Sequence, residues 1–221
     1  MVKKLQALKA KKGFTLVELV VVIAIIGVLA AILIPTMIGV VQDSRISSAD
    51  TAASQIRQQV TTWLTKADTA GHTFKGPASP TALGISVANG VWTFNGANTS
   101  LAADTTPSAN GEFLGTGWEW GTTSTAAGDN KESNFCGFMA ANLSDIKNAL
   151  VVIYVDKEKC IGAAYIDGGT SSELTNMPTA TEFNSAAGTC SKFSSKAGVS
   201  GNIVVGTNPK LQKASTRSTT T

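Results

Sequence analysis

The hydrophobic pattern of the chain begins with one long apolar run. From Phe14 to Ile34 there are 21 consecutive positions whose only polar members are Thr15 and Glu18. At a rise of about 1.5 Å per residue, a helix of this length spans about 31 Å, close to the roughly 30 Å hydrocarbon core of a bilayer. The pattern therefore predicts a transmembrane helix over residues 14–34.

A helical period continues after this run, over residues 35–70. Apolar residues recur there at alternating steps of three and four, which places them on one face of a helix. This apolar stripe consists of Ile46, Ala49, Ala53, Ile56, Val60, Trp63 and Ala67. No Gly or Pro interrupts the chain between Val40 and Ala70. We therefore predict one continuous helix, apolar all round in its first half and amphipathic in its second half, where the stripe packs on the protein's own head.

Residues 71–205 have the pattern of a β-rich globular head, with short apolar runs among Gly, Ser, Thr and Asn. Alternation and β-branched content predict strands, and helical spacing predicts one short helix. The predicted strands are Val91–Phe94, Phe113–Trp120, Ala149–Asp156, Cys160–Asp167 and Asn202–Val205, and the helix is Phe135–Ile146. Lys157-Glu158-Lys159 separates two of these strands and is the strongest hairpin signal. The tail, residues 206–221, is polar and rich in Thr, and we predict that it is disordered.

The fold class that follows is α+β. A long N-terminal helix is expected to pack, through its amphipathic half, on an antiparallel β-sheet head. About 150 residues remain beyond the leader and the span, which is enough for one hydrophobic core.

The segment before the apolar run, residues 1–13, carries lysines at positions 3, 4, 9, 11 and 12 and no acidic residue. Such a basic flank holds the amino terminus in the cytoplasm and places the rest of the chain outside. An ordinary secretory signal has its small-residue cleavage site after the apolar region. Here the small residue, Gly13, comes before it. Cleavage between Gly13 and Phe14 would leave the apolar segment as the new amino terminus.

Glu18 is the most unusual residue of the span. A carboxylate inside a spanning helix costs about 2.5–3.5 kcal/mol at mid-bilayer, and it usually marks a partner. A simple membrane anchor has no evident use for it. The N-terminal region resembles the prepilins of type IV pili, type II secretion pseudopili and competence pili through the residues Gly13, Phe14, Thr15, Leu16, Glu18, Gly27 and Pro35.

This resemblance implies the pilin fold and a route of processing and assembly. A prepilin peptidase would remove the basic leader after Gly13, and the new amine of Phe14 would be N-methylated. Glu18 would then meet the Phe14 amine of a neighbouring subunit in a homopolymer, with the help of pilus assembly machinery in the membrane. In assembled pili of this family, the segment corresponding to Gly27–Pro35 tends to be unwound. The protein would lie in the lipid membrane as a single-pass protein before assembly, and in an extracellular pilus afterwards.

The net charge of the whole chain, +3, does not indicate a nucleic-acid partner. Without the five leader lysines, 13 of the 18 basic residues remain against 15 acidic residues, a formal charge of −2. The apparent basicity is thus a topology signal, and no specific nucleic acid is expected as a partner.

The sequence nominates no enzyme active site and no cofactor. It contains no nucleophile elbow, phosphate loop or zinc-protease motif, and Gly115-Thr116-Gly117 lacks the third glycine of a dinucleotide fingerprint. His72, the only histidine, follows Gly71 at the predicted end of the long helix, which favours a cap or turn role over a ligand role. The four tryptophans, Trp63, Trp92, Trp118 and Trp120, are expected to pack in the core rather than to form a binding platform.

Cys136, Cys160 and Cys190 all lie in the predicted head. An oxidising exterior favours one disulfide, and the family resemblance favours the pair Cys160–Cys190. Buried free thiols are the second interpretation. The third is a zinc site completed by His72, although the cysteine spacing matches no zinc-ligand pattern.

Three functions therefore compete. The leading hypothesis is a structural pilus subunit, whose polymer serves adhesion, motility or DNA uptake. The second is a pseudopilin of a type II secretion system, which shares the same N-terminal motif. The third is a membrane-anchored binding protein, for which Glu18 would have no function.

Overall fold

The computed structural model describes residues 14–96, 110–121 and 132–215. The helices are α1 (Leu16–Thr69), α2 (Phe135–Asn142) and α3 (Ala180–Asn184), and a 3₁₀ helix covers Ser171–Asn176. The strands are β1 (Phe74–Lys75), β2 (Thr81–Ala88), β3 (Val91–Gly96), β4 (Glu112–Phe113), β5 (Ala149–Asp156), β6 (Lys159–Asp167), β7 (Thr189–Cys190), β8 (Val199–Ser200), β9 (Ile203–Val204), β10 (Gly206–Asn208) and β11 (Gln212–Lys213). The chain forms two compact units, Met1–Asp43 and Ser44–Thr221, and their boundary falls inside α1.

The single long helix predicted from the sequence is confirmed. Within the second unit, the buried residues of α1 are the predicted apolar stripe together with Leu64. Ala53, Ile56, Val60 and Trp63 are fully buried there. The period of the sequence therefore identifies the face of α1 that packs on the head.

The head is built on a five-stranded sheet with the strand order β10-β6-β5-β2-β3, and each neighbouring pair is antiparallel. The strands β5 and β6 are the predicted hairpin, in which Ala149 pairs with Asp167 and Asp156 pairs with Lys159. The antiparallel head and the α+β class are thus confirmed.

The sheet is covered on both faces, and β5 contributes alternate residues to two cores. Val151, Ile153 and Val155 belong to the helix-side core, which includes the buried residues of α1 from Ala49 to Leu64. Leu150, Val152 and Tyr154 belong to the outer core, which the C-terminal region covers with Leu174, Met177, Phe183, Phe193 and Leu211. Because both faces are buried, β5 is a continuous apolar run rather than an alternating one.

The helix α1 ends in a Schellman motif. Gly71 has φ +84°, a left-handed conformation that suits glycine, and its N–H donates to the Asp68 carbonyl at 2.9 Å. The His72 N–H donates to the Ala67 carbonyl at 2.8 Å, and the His72 ring Nδ1 lies 2.7 Å from the Leu114 carbonyl oxygen. The turn role predicted for His72 is therefore confirmed.

The tryptophans pack as expected. Trp63 lies at the centre of an aromatic cluster, with ring centroids 5.0 Å from Phe135, 5.1 Å from Phe113 and 5.3 Å from Trp120. Its indole N–H donates to the Glu132 carbonyl at 2.8 Å. Trp92 is also buried, and Trp118 is half-buried against the same core.

The expected strand over Phe113–Trp120 is wrong in its length. Only Glu112–Phe113 forms a strand, paired with β1. Gly115 and Gly117 have φ of +78° and +103°, which breaks the extended backbone between the strand and Trp118. The predicted helix Phe135–Ile146 ends early, at Asn142.

The expectation of disorder from Gly206 onward is wrong for residues 206–215; residues 216–221 lie outside the described ranges. β10 pairs with β6 and forms the edge of the sheet. The side chain of Asp50, on α1, accepts a hydrogen bond from the Thr207 N–H at 2.9 Å and forms an ion pair with Lys210 at 2.9 Å. A Cβ at Gly206 would collide with the backbone of Ala49, so glycine permits this close approach. Tertiary contacts with α1 thus order a segment of polar composition.

Candidate functional site

The most exposed apolar surface of the described chain is the first half of α1. An 18-residue window of this helix has a mean hydropathy of 3.1, and none of it is buried. Phe14 is 85% exposed and Leu16 is 77% exposed, and large apolar side chains remain exposed as far as Val41. By length and composition this helix could cross a membrane. An apolar surface of this size marks a site of contact with lipid or with another protein.

Thr15 and Glu18 form a capping box at the start of α1. The Thr15 N–H and hydroxyl donate to Glu18 Oε2 at 2.9 and 2.8 Å, and the Glu18 N–H donates to the Thr15 hydroxyl oxygen at 3.2 Å. This reciprocal pattern satisfies N–H groups that have no partner within the helix. The expected roles of Thr15 and Glu18 did not include this cap, although a threonine three residues before a glutamate is its sequence signature.

The capping box corrects the view that a simple anchor has no use for Glu18. The carboxylate stabilises the start of its own helix, which is a local role. The box uses only Oε2, however, and Oε1 has no hydrogen-bond partner within the described parts of the chain. The geometry therefore holds the Glu18 carboxylate beside the amino-terminal end of α1, hydrogen-bonded to Thr15, the residue that follows Phe14, and its free oxygen can accept a cation there.

Gly27 and Pro35 lie inside unbroken helix. A Cβ at Gly27 would meet no atom within 4 Å beyond the adjacent backbone of its own helix, so nothing that surrounds the helix in the described residues requires a glycine. Pro35 has no N–H to donate, and the Thr36 hydroxyl donates to the Leu33 carbonyl at 2.9 Å in the same turn. Unwinding of Gly27–Pro35 concerns the assembled state and stays a prediction. Gly13 lies outside the described residues, and cleavage after it also stays a prediction.

The structure does not contain the expected disulfide. Cys136, Cys160 and Cys190 are buried free thiols. Cys160 belongs to the helix-side core and Cys190 to the outer core, so the sheet separates the environments of the favoured pair. Burial raises the pKa of Cys136 to about 12 and that of Cys160 to about 11, and it also raises the pKa of Cys190. The second interpretation, buried free thiols, describes this arrangement.

The third interpretation, a zinc site, has no geometric support in the part of the chain that the structure describes. No group of three or more His, Cys, Asp and Glu side chains able to hold a metal ion occurs there.

Two family models match the chain. The prokaryotic N-terminal methylation motif matches residues 8–34, and a domain of unknown function, DUF5021, matches residues 46–212. The first match covers the exposed half of α1 with its capping box, and the second covers the head.

The curated relatives of the chain include fimbrial proteins. A type IV major fimbrial protein, FimA, of Dichelobacter nodosus is 40% identical over 76 residues, which are 34% of this chain and 48% of that protein. A fimbrial protein of Moraxella nonliquefaciens is 30% identical over 116 residues, which are 52% of this chain and 70% of that protein. The chain thus spans about half the length of the first relative and more than two thirds of the second. No solved structure matches the chain.

Proposed function

This chain belongs to the type IV pilin family, and we propose that it is a structural subunit that polymerises through α1 into an extracellular pilus. Its residues 46–212 belong to the DUF5021 family, which carries no functional assignment. The observation that carries the proposal is the apolar half of α1, none of which is buried and which begins with a capping box and a free carboxylate oxygen.

Processing comes first in the proposed sequence of events. A prepilin peptidase cleaves the chain between Gly13 and Phe14, and the new amine of Phe14 is methylated. The match of the N-terminal methylation motif to residues 8–34 supports this step. Cleavage also removes the five leader lysines that hold the amino terminus on the cytoplasmic side.

The apolar surface of α1 then contacts two different apolar surroundings, one after the other. Before assembly it contacts the acyl chains of the membrane, and afterwards it contacts the same helix of other subunits. Neither state exposes this surface to water, whose contact with apolar side chains costs about 25 cal/mol per Å². The pilus assembly machinery in the membrane transfers the subunit from the first state to the second.

Electrostatics direct the docking of each new subunit. Cleavage creates a cation at Phe14, and the free Oε1 of Glu18 on a neighbouring subunit accepts it. Two opposite charges about 4 Å apart attract each other by about 4 kcal/mol at an effective dielectric constant near 20, before the cost of desolvation. In the membrane-embedded monomer, before assembly, the capping box keeps the Glu18 carboxylate hydrogen-bonded to Thr15.

The relatives of the chain favour a pilus over a secretion pseudopilus, because they are named fimbrial proteins. These names also support a structural rather than an enzymatic role. Electron microscopy of sheared surface material, followed by mass identification of the filament subunit, tests the pilus assignment. Its N-terminal peptide should start at Phe14, and a mature pool that begins at Met1 would contradict the processing step.

A pair of substitutions separates the two roles of Glu18. Glu18→Gln removes the charge and keeps a side chain that can complete a capping box, whereas Glu18→Ala removes both. If the charge pairs with Phe14 of a neighbour, both variants should be inserted and cleaved normally, and both should lose filaments. Normal filaments from Glu18→Gln, with loss only in Glu18→Ala, would show that the cap is what assembly needs. Electron microscopy and N-terminal mass spectrometry give the two readouts.

A further inference from the structure

We propose that the tip of the β5–β6 hairpin of one subunit docks into a cleft at the opposite end of that hairpin in the next subunit. The inference rests on the proposed function, since it concerns the contact between heads in the polymer. The occupant of the cleft is thus a second copy of this chain.

The cleft lies within the second unit, between residues 44–52 of α1, the end of β6 and β9. Its volume is about 710 Å³, within the range of about 300–1,000 Å³ that is typical of binding pockets. Tyr165 and Val204 are among the residues that line it, and Arg45, Asp167 and Glu173 are its charged residues. Two anions and one cation therefore line this cleft.

Each acidic residue of the cleft keeps one carboxylate oxygen available. Asp167 Oδ1 accepts a hydrogen bond from the Tyr165 hydroxyl at 3.1 Å, and Glu173 Oε2 accepts one from the Thr170 N–H at 2.6 Å. The other oxygen of each carboxylate has no hydrogen-bond partner in the described residues. Arg45 forms no ion pair with either Asp167 or Glu173. Each carboxylate of the cleft therefore has one oxygen that remains available to a cation from outside the subunit.

The hairpin tip has the complementary charges. Lys157, Glu158 and Lys159 are all exposed, and Lys157 has φ +55°, which turns the chain sharply at this point. Neither lysine forms an ion pair within residues 14–96, 110–121 and 132–215. The tip therefore presents two cations and one anion to a cleft that presents two anions and one cation.

The positions of the two surfaces suit a polymer. The tip is at one end of the β5–β6 ladder, where Asp156 pairs with Lys159, and the cleft is at the other end, where Ala149 pairs with Asp167. A contact between two different surfaces of the same chain is heterologous, and it builds an open helical filament when the rotation from one copy to the next does not close a ring. Because the surfaces lie at opposite ends of one rigid ladder, every subunit can use both at once.

A zero-length carbodiimide cross-link tests the contact in sheared filaments of the full protein. This reagent joins a lysine amine to a carboxylate only when the two groups touch. Eight residue steps of about 3.3 Å separate Lys159 from Asp167 along β6, a distance of about 26 Å, so a link between them cannot form within one subunit. We expect cross-linked peptides that join Lys157 or Lys159 to Asp167 or Glu173. Intact filaments without such peptides would overturn the proposal.

Charge reversal gives an independent test. The double variant Lys157→Glu/Lys159→Glu should reduce the yield of filaments at least about tenfold, because like charges that face each other across an interface are strongly unfavourable. The cleft variant Asp167→Lys/Glu173→Lys should do the same, and the four substitutions together should restore assembly. Normal filaments from either double variant would contradict the proposal, and so would failure of the combined variant to recover although its head remains folded.

The control is Lys192→Glu/Lys213→Glu, which changes the net charge equally on the β7–β11 side of the head and should leave assembly unchanged. Failure of the proposed function looks different from failure of this inference. If the unaltered chain forms no filaments, both the proposed function and the tip-to-cleft contact are contradicted. If it forms filaments without the tip-to-cleft contact, only that contact is contradicted.

Discussion

Glu182 connects two segments of the C-terminal region of the head through hydrogen bonds to its carboxylate. Its Oε2 accepts from the Thr179 N–H at 2.7 Å, which caps α3, and its Oε1 accepts from the Ser191 N–H at 2.7 Å and the Ser191 hydroxyl at 2.8 Å. Burial acts to raise the pKa of Glu182, but the hydrogen bonds from Ser191 and Thr179 outweigh it and lower the pKa below its ordinary value. One carboxylate therefore joins α3 to β7 across a region without a disulfide.

Replacing Glu182 by alanine should lower the free energy of unfolding by about 1.5–3 kcal/mol at pH 7, the range for hydrogen bonds to a charged group. Because the pKa is lowered in the folded state, this stabilisation is present above the unfolded pKa of about 4.3 and disappears as the pH falls through the folded pKa. Denaturant titration of the full protein in detergent, followed by near-ultraviolet circular dichroism of the buried tryptophans, measures it.

The matched control is Glu173→Ala. Glu173 also completes a capping box, but its only hydrogen bond from another residue's backbone comes from Thr170. Its loss should cost clearly less than the loss of Glu182. Equal costs at pH 7, or a cost for Glu182→Ala that persists unchanged well below pH 4, would contradict the role assigned to Glu182.

The thiols give a second prediction at this scale. Burial raises the pKa values of Cys136 and Cys160 to about 12 and about 11, so almost none of either thiol is present as reactive thiolate at pH 8. Burial also raises the pKa of Cys190, and its side chain is inaccessible to a reagent in the folded head. Iodoacetamide should therefore label none of the three cysteines in the folded protein and all three after denaturation without reductant, as counted by mass spectrometry. A disulfide-linked peptide pair in the unreduced digest would disprove this.

At the scale of elements, the contact between β10 and α1 depends on Gly206. Gly206→Ala should destabilise the head by about 1–3 kcal/mol, the usual cost of overpacking, because the added methyl group collides with the backbone of Ala49. Gly39→Ala is the control, since a Cβ there meets nothing within 4 Å. Thermal unfolding that is unchanged in Gly206→Ala would show that β10 is not held against the helix.

The elements that the sequence predicted best are those whose own residues determine them. α1 has a long regular period, and β5 is a continuous apolar run, so both were predicted with nearly correct bounds. β2 was not predicted, because Gly84 and Ser86 interrupt its apolar pattern and its order comes from pairing with β5 and β3 on either side.

The missed features of the C-terminal region have a similar cause. β10 is polar, and its order depends on Asp50 and Ala49, more than 150 residues earlier in the chain. Composition alone could not reveal such contacts. The capping box of Thr15 and Glu18 is different, because the spacing of the two residues in the sequence is enough to predict it without any tertiary contact.

At the scale of the whole molecule, the head should fold without the exposed half of α1. Among the described residues, neither hydrophobic core contains one before Ala49, and the second compact unit begins at Ser44. A chain that starts at Ser44 should therefore be monomeric in buffer without detergent and should unfold cooperatively, whereas the full protein should require detergent or membrane.

Size-exclusion chromatography and thermal unfolding of the two chains make this comparison. Aggregation of the shorter chain, or a broad transition without cooperativity, would show that the head needs the first half of the helix in order to fold.

The position of β10 after the other four strands of its sheet also sets the order in which the head can be completed. Synthesis delivers α1 and the strands β2, β3, β5 and β6 before residues 206–211, yet β10 pairs with the edge of β6 and Leu211 is buried in the outer core. Until those residues have left the ribosome and reached the same side of the membrane, one edge of the sheet has unpaired backbone groups. A chain truncated before Gly206 would therefore keep an unpaired edge on β6, which is the kind of edge that promotes aggregation.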